Sequence, residues 1–237
     1  MELLMTKKIN ITGTLILLLS TQFLLTGFAQ EPGLSQLFAV ATVNFEQNAT
    51  DGDVEVVFEI KGGDEGLAKL RVVSPDGIKV IDFTAPDAST LGIRQFRFES
   101  PEPKDIEALK AAYPEGDYTF TGATSDGNKF KSVCTLNHKL PPTVSFLIPM
   151  AEEEGVNVEN LVITWTPVDN VTGYTLELDQ EELGVNILVK LPGTVDKFAV
   201  PEDFLVSNTE YTLSIGTVTE DGNISVVETM FTTAGGE

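Results

Sequence analysis

The chain has 237 residues, with 15 basic against 36 acidic side chains, one histidine and one cysteine, for a net charge of −21. Such an excess of carboxylates repels nucleic-acid phosphates and anionic lipid headgroups, which excludes the electrostatic footprint of a nucleic-acid binder. The single thiol, Cys134, excludes an intrachain disulfide, so each folded unit must be held by its apolar core.

Residues 1–29 read as a cleaved secretory signal peptide. Lys7 and Lys8 form a basic start, Leu15 to Leu25 an apolar middle, and Gly27-Phe28-Ala29 a small-residue end. The apolar part is interrupted by Ser20, Thr21 and Gln22 and falls short of the roughly 20 residues a membrane span requires. No cysteine follows it, which argues against a lipid anchor. Cleavage after Ala29 removes Lys7, Lys8 and Glu2, leaving 13 basic and 35 acidic side chains. The expected location is secreted or periplasmic, without membrane insertion after processing. The remaining length suits one large or two small domains.

From Ser35 to His138 the pattern is that of strands. In Val54 to Ile60 the even positions are apolar, as a half-buried strand requires. Gly62-Gly63-Asp64-Glu65-Gly66 marks a turn, and Leu67 to Val73 begins the next strand. Ser74-Pro75-Asp76-Gly77 predicts a tight turn into Ile78 to Phe83. Arg94, Phe96 and Phe98 alternate with Gln95 and Arg97, and Tyr118 to Thr121 runs through Asp126-Gly127-Asn128 into Lys129 to Leu136. Phe130, Cys134 and Leu136 share a face there, which makes Cys134 a core thiol rather than a reactive one. The exception is Pro103 to Tyr113, whose flanking prolines and good helix formers predict one short helix. Ile106, Leu109 and Tyr113 share its inner face, so it is expected to cap one end of a sandwich.

Leu140-Pro141-Pro142-Thr143 has the stiffness of an interdomain linker. Beyond it Leu161, Ile163 and Trp165 face one way, then Tyr174, Leu176 and Leu178, then Phe198 and Val200. Tyr211, Leu213 and Ile215 follow, and a last strand runs from Ile224 to Thr232. Seven short strands without βαβ spacing predict an antiparallel sandwich. The halves also echo each other: YTFTGATSDGN in the first is matched by YTLSIGTVTEDGN in the second. No tryptophan in the first half matches Trp165, so this reads either as duplication or as two solutions to one hairpin problem.

The second half, from about Pro142 to Thr233, resembles a fibronectin type III domain. Leu161 to Trp165 stands as its second strand with Trp165 as core tryptophan, and Gly173 to Leu178 as its third. Leu205-Val206-Ser207-Asn208-Thr209-Glu210-Tyr211 carries the Leu and Tyr of that family's tyrosine corner. The resemblance implies a spacer or binding platform, for which a catalytic role would be atypical. An Arg-Gly-Asp tripeptide, known in some such domains, is absent.

The candidates for chemistry are few. His138 and Cys134 invite a metal site, but no second Cys or His completes a zinc ligand set. A Ser-His-acid triad would have to recruit His138 beside the linker, and no G-x-S-x-G elbow exists. Asp51-Gly52-Asp53, Asp126-Gly127-Asn128 and Glu220-Asp221-Gly222-Asn223 offer turn oxygens that calcium could use. The same residues are explained by the left-handed geometry of hairpin turns. Glu152-Glu153-Glu154 reads as a solvated loop. Asn48, Asn170 and Asn223 begin N-x-[ST] sequons near turns and are expected to be accessible. Tyr113 and Phe204 are the aromatics less committed to a core, and a sugar platform would have to use them.

The reading is an all-β chain of two tandem antiparallel, immunoglobulin-like β-sandwich domains, at 35–139 and 143–233, the first with one short helix. They are joined near residues 140–150. The expected function is a non-enzymatic binding or structural module with a protein partner. The alternative is a carbohydrate-binding or glycan-active protein that uses acidic residues at the domain junction, with calcium open as a ligand. No catalytic, cofactor-binding or metal-ligating residue is assigned, and no cofactor.

Overall fold

The computed structural model describes residues 35–85, 92–103 and 105–235, and the expected signal peptide at 1–29 lies outside them. The described first half contains β1 (Val40–Asn48), β2 (Asp53–Lys61), β3 (Lys69–Val73), β4 (Lys79–Thr84) and β5 (Gln95–Glu99). A helix α1 (Ile106–Ala112) precedes β6 (Gly116–Ala123) and β7 (Lys129–Leu136). The second half contains β8 (Phe146–Ile148), β9 (Glu154–Val156), β10 (Val162–Trp165) and β11 (Gly173–Gln180). It continues through β12 (Val185–Pro192), β13 (Lys197–Ala199), β14 (Glu210–Val218) and β15 (Ile224–Thr233). Among the described residues the chain is all-β apart from this one short helix.

Each half has its own core between two sheets. In the first, Val43, Phe45, Val56, Phe58 and Ile60 of β1-β2-β5 meet Leu70, Val72, Tyr118 and Phe120 of β4-β3-β6-β7. In the second, Ile163 and Trp165 of β13-β10-β8 meet Tyr174, Leu176, Tyr211, Leu213 and Phe231 of β12-β11-β14-β15. Leaving aside the three-residue β9, the two halves share one strand order. First, second and fifth strands form one layer; fourth, third, sixth and seventh form the other. Alternation of apolar and polar side chains produces this, because a strand can bury only one of its two faces against the opposing layer.

The sequence echo has a physical counterpart. Ser74 to Ile78, Thr124 to Asn128 and Thr219 to Asn223 are three copies of one five-residue hairpin. In each, the first residue donates its N–H to the fifth residue's carbonyl, at 2.9, 3.0 and 3.0 Å. The fifth residue's N–H returns to the first residue's hydroxyl oxygen at 3.1 Å. Gly77, Gly127 and Gly222 supply the positive φ of 85°, 95° and 88° that this closure needs. Two buried tyrosines, one in each half, also correspond. Tyr211 is fully buried, donates its O–H to the Phe204 carbonyl at 3.3 Å and accepts the Val206 N–H at 2.9 Å. Tyr118 is equally buried and donates to the Pro114 carbonyl at 3.1 Å.

Three local expectations change. The helix starts at Ile106 rather than Pro103, because Asp105 caps it by accepting the Glu107 N–H at 3.0 Å. Leu109 is buried and Tyr113 packs on the first core, but Ile106 stands at the first helical position and is exposed. Glu152 to Glu154 is not a free loop: Glu153 Oε2 accepts the Met150 N–H at 2.7 Å, and Glu154 lies in β9 opposite Thr232.

Truncating Trp165, about 1% exposed, to Ala is expected to cost about 3–5 kcal/mol in denaturant melts. Tyr211→Phe leaves the Val206 N–H unpaired and should cost about 1–3 kcal/mol. That loss should exceed the loss for Tyr113→Phe; equal losses would remove the corner from the list of stabilising contacts.

Candidate functional site

The feature that organises the surface is the meeting of the halves. β1 runs parallel to β15, with Glu46 opposite Ile224, Gln47 opposite Ser225 and Asn48 opposite Val226. This pairing fuses three strands of the first half to four of the second, in the order β12-β11-β14-β15-β1-β2-β5. Gln47 Nε2 donates to Ser225 Oγ at 3.2 Å, the Ala49 N–H to the Val226 carbonyl at 2.7 Å, and the Glu228 N–H to Thr50 Oγ1 at 2.7 Å.

Asn223 seals the ladder. It is about 1% exposed, and its Oδ1 accepts the Phe45 N–H at 2.8 Å. Its Nδ2 donates toward the Asn137 carbonyl at 2.9 Å, Asn137 Oδ1 at 3.0 Å and the Lys139 carbonyl at 3.1 Å. The third hairpin places it there, since Asn223 is the residue that returns into β15. Gly222 beside it must be glycine twice over: its φ is 88°, and an added Cβ would lie 2.6 Å from Asn44 Oδ1. Thr217 Oγ1 donates to the Pro142 carbonyl at 2.7 Å, fixing the chain where it enters the second half.

The expected site residues take structural places around this junction. His138 lies with its ring 4.8 Å from that of Phe45 and Nε2 2.8 Å from the Tyr113 carbonyl, while its backbone N–H donates to Glu115 Oε1 at 2.7 Å. Cys134 packs half-buried against the first core. Among the described residues no group of three or more His, Cys, Asp or Glu side chains is placed to hold a metal ion. Asp51 accepts the Asp53 N–H and the Asn48 amide at 3.0 and 3.1 Å, and Asp221 accepts from Asn137 Nδ2 at 3.0 Å. Asp126 accepts from Asn128 Nδ2 at 3.0 Å and from the Thr124 hydroxyl.

Two expectations fail here for stated reasons. Asn223 is not an accessible sequon, because every polar atom of its amide is engaged inside the junction; Asn170 is exposed and Asn48 half-buried. Tyr113 and Phe204 are not free platforms, since Tyr113 packs on Phe58 at 6.0 Å and Phe204 on Tyr211 at 6.2 Å. β1, like β8, β9 and β12, is a strand the sequence reading does not name; Val43 and Phe45 alternating with Thr42 and Asn44 is the signal that marks it.

Across the junction, on the outer face of the joined sheet, lies an acidic hollow of about 410 Å³. Glu46, Asp53, Glu55 and Glu102 border it from the first half, Glu177 and Glu228 from the second, and among the described residues no aromatic side chain lines it. Arg97 on β5 serves three carboxylates, at 2.6 Å to Glu99, 3.0 Å to Glu59 and 3.6 Å to Glu46. Burial pushes the Glu46 carboxyl up to about 7; Arg97 pulls it back, and Glu55, Glu59 and Glu99 push it further. Burial and the charge of Glu99 raise Glu55 as well.

No family profile matches the chain, and no curated protein matches it significantly. Among solved structures, the fibronectin(III)-like modules of Clostridium thermocellum CbhA are 16% identical, covering 83% of this chain and 92% of theirs, with a TM-score of 0.34. A two-domain fibronectin type III segment of chicken tenascin is 14% identical over 84% of this chain and 100% of its own, at a TM-score of 0.31. Chicken CNTN1 domains FN1–FN3 are 11% identical over 84% and 65%, at 0.33. None of these scores reaches 0.5, so the fold is assigned on this chain's strand order, buried Trp165 and tyrosine corner. The fold is fibronectin type III-like.

Glu46 sets a pH dependence with a defined sign. Its pKa in the folded chain lies above the ordinary 4.5, so between about 4.5 and 7 the native state holds a proton that the unfolded chain releases. Stability therefore falls as pH rises through that window, by up to about 2–3 kcal/mol from this group. Urea midpoints should be higher at pH 5.5 than at pH 8. Glu46→Gln should shrink the gap by stabilising the protein at pH 8, and an unchanged gap would contradict the assignment.

Proposed function

We propose that this protein is an exported, non-enzymatic module in which two sandwich domains, 35–139 and 143–233, act as one rigid structural or protein-binding element. The observation that carries this reading is the parallel β1–β15 ladder closed by the buried Asn223 amide. A polar network of this kind fixes the relative orientation of two units, which is what a platform or spacer requires and a flexible tether does not. Export is supported by the basic, apolar and small-residue order of residues 1–29. The junction carries the reading because the fold alone hosts many activities.

A second reading, a glycan-binding or glycan-active protein, is favoured by one observation. The acidic hollow spans the junction, and Glu46 there keeps its proton up to about pH 7, as a general acid would. Against it stands a lining that, among the described residues, offers no aromatic side chain on which sugar rings would stack.

A glycan-binding screen with and without calcium, run beside polysaccharide-hydrolysis assays, separates the two. The module reading expects no turnover, and retention of a protein from the exported fraction that excess free module displaces. Saturable glycan binding lost in Glu46→Gln would favour the second reading, and turnover would overthrow the non-enzymatic one.

A further inference from the structure

The protein's few cations are not scattered. Of the 13 basic residues that remain after the expected signal cleavage, Lys69, Arg71, Lys79, Lys129 and Lys131 stand together on the outer face of the β4-β3-β6-β7 sheet. Register places them there: Lys69 aligns with Ala123 and Lys129 across β3, β6 and β7, and Arg71 aligns with Thr121 and Lys131. Two strand spacings, about 10 Å, separate the cations of each row. Asp82 satisfies Arg71 at 3.0 Å and Lys79 at 3.4 Å. Among the described residues Lys69, Lys129 and Lys131 have no carboxylate within ion-pair distance, in a chain with 36 acidic side chains. The short side chains of Thr121 and Ala123 leave a hollow of about 510 Å³ between Lys69, Arg71 and Lys129, and Val133 beside them is 55% exposed.

The opposite charge stands on the outer face of the other layer, around the junction hollow bordered by Glu46, Asp53, Glu55, Glu102, Glu177 and Glu228. Burial and, after it, the neighbouring carboxylates raise Glu46 and Glu55, so a cationic surface set against them would relieve repulsion. Both surfaces are faces of sheets, one basic and one acidic, and every copy of the chain carries both.

We propose that the basic outer face of β4-β3-β6-β7 docks onto the acidic outer face of the joined sheet of a second copy of this chain. The contact is heterologous, using two different patches, so it propagates from copy to copy unless a rotation closes it into a ring. It deepens the structural-module reading and rests on it, by naming the partner. The complementary charges set register and partner choice rather than supplying most of the affinity.

Sedimentation equilibrium of the mature chain at about 0.15 M salt tests this, because screening there spares only close pairs. The wild-type mass should rise with concentration. Lys129→Glu with Lys131→Glu should weaken association at least about tenfold. Glu55→Lys with Glu228→Lys should do the same although it lowers the net repulsion between copies, so its loss reports the local contact. Mixing the two variants should restore association, since each then offers the face the other lacks. A wild-type chain that stays monomeric to about 1 mM, variants that associate normally, or a mixture that stays monomeric would each overturn the proposal. So would a basic face that instead binds a sulfated polysaccharide while the chain stays monomeric. A monomeric result leaves the module reading standing, whereas glycan turnover would sink that reading and leave self-docking measurable.

Discussion

The side-chain amide of Asn223 is the contact on which the arrangement of the two halves depends. Buried at the start of β15, it accepts from the Phe45 backbone in β1 and donates to three oxygens of Asn137 and Lys139. An amide left unpaired in such a place would cost about 1–3 kcal/mol, so a slip of β1 against β15 that parted Asn223 from Phe45 would be penalised. From that register follow the joined sheet, the place of His138 against Phe45, and the acidic hollow that the two halves line together. The cores of the two sandwiches are separate, and the polar junction is what couples them.

Much of this was legible in the residues. Period-two alternation placed Val54 to Ile60, Tyr174 to Leu178 and Tyr211 to Ile215 correctly, because a strand facing one core must bury every second side chain. Trp165 and Tyr211 were found because a buried indole and a phenol tied to the backbone leave few alternatives. The recurring Ser/Thr-x-Asp-Gly pattern announced three hairpins. Its chemistry also concealed Asn223: an Asn following Gly is fully explained by turn geometry, so nothing local marks it as a clamp. Its partner in β1 lies 178 residues away, and pairing over that distance leaves no periodic trace in either strand. The shared strand order of the halves was hidden for a similar reason. The first sandwich fills its core with Phe45, Phe58 and Phe120 instead of a tryptophan, and aromatic volume can be supplied by several residues.

Charge is divided as sharply as structure. One outer face gathers carboxylates around a single arginine, Arg97, and another gathers five of the cations. Neither face contributes to the cores, so the division is free to serve association between molecules rather than folding. The Glu46 carboxyl, raised first by burial and then by Glu55, Glu59 and Glu99, marks the stability that is given up on the acidic face. This fold tolerates such loading because neither the outer carboxylates nor the outer lysines belong to the apolar cores that hold its layers.

Unfolding in urea, followed by two reporters that lie on opposite sides of the junction, addresses the coupling most directly. Trp165 is the chain's one tryptophan and reports the second core; Cys134 is its one cysteine and reports the first through thiol labelling. Coupling through the buried amide predicts coincident midpoints for the two signals in the wild type and separated midpoints in Asn223→Ala. Midpoints already separate in the wild type, or coincident and unmoved in Asn223→Ala, would contradict it.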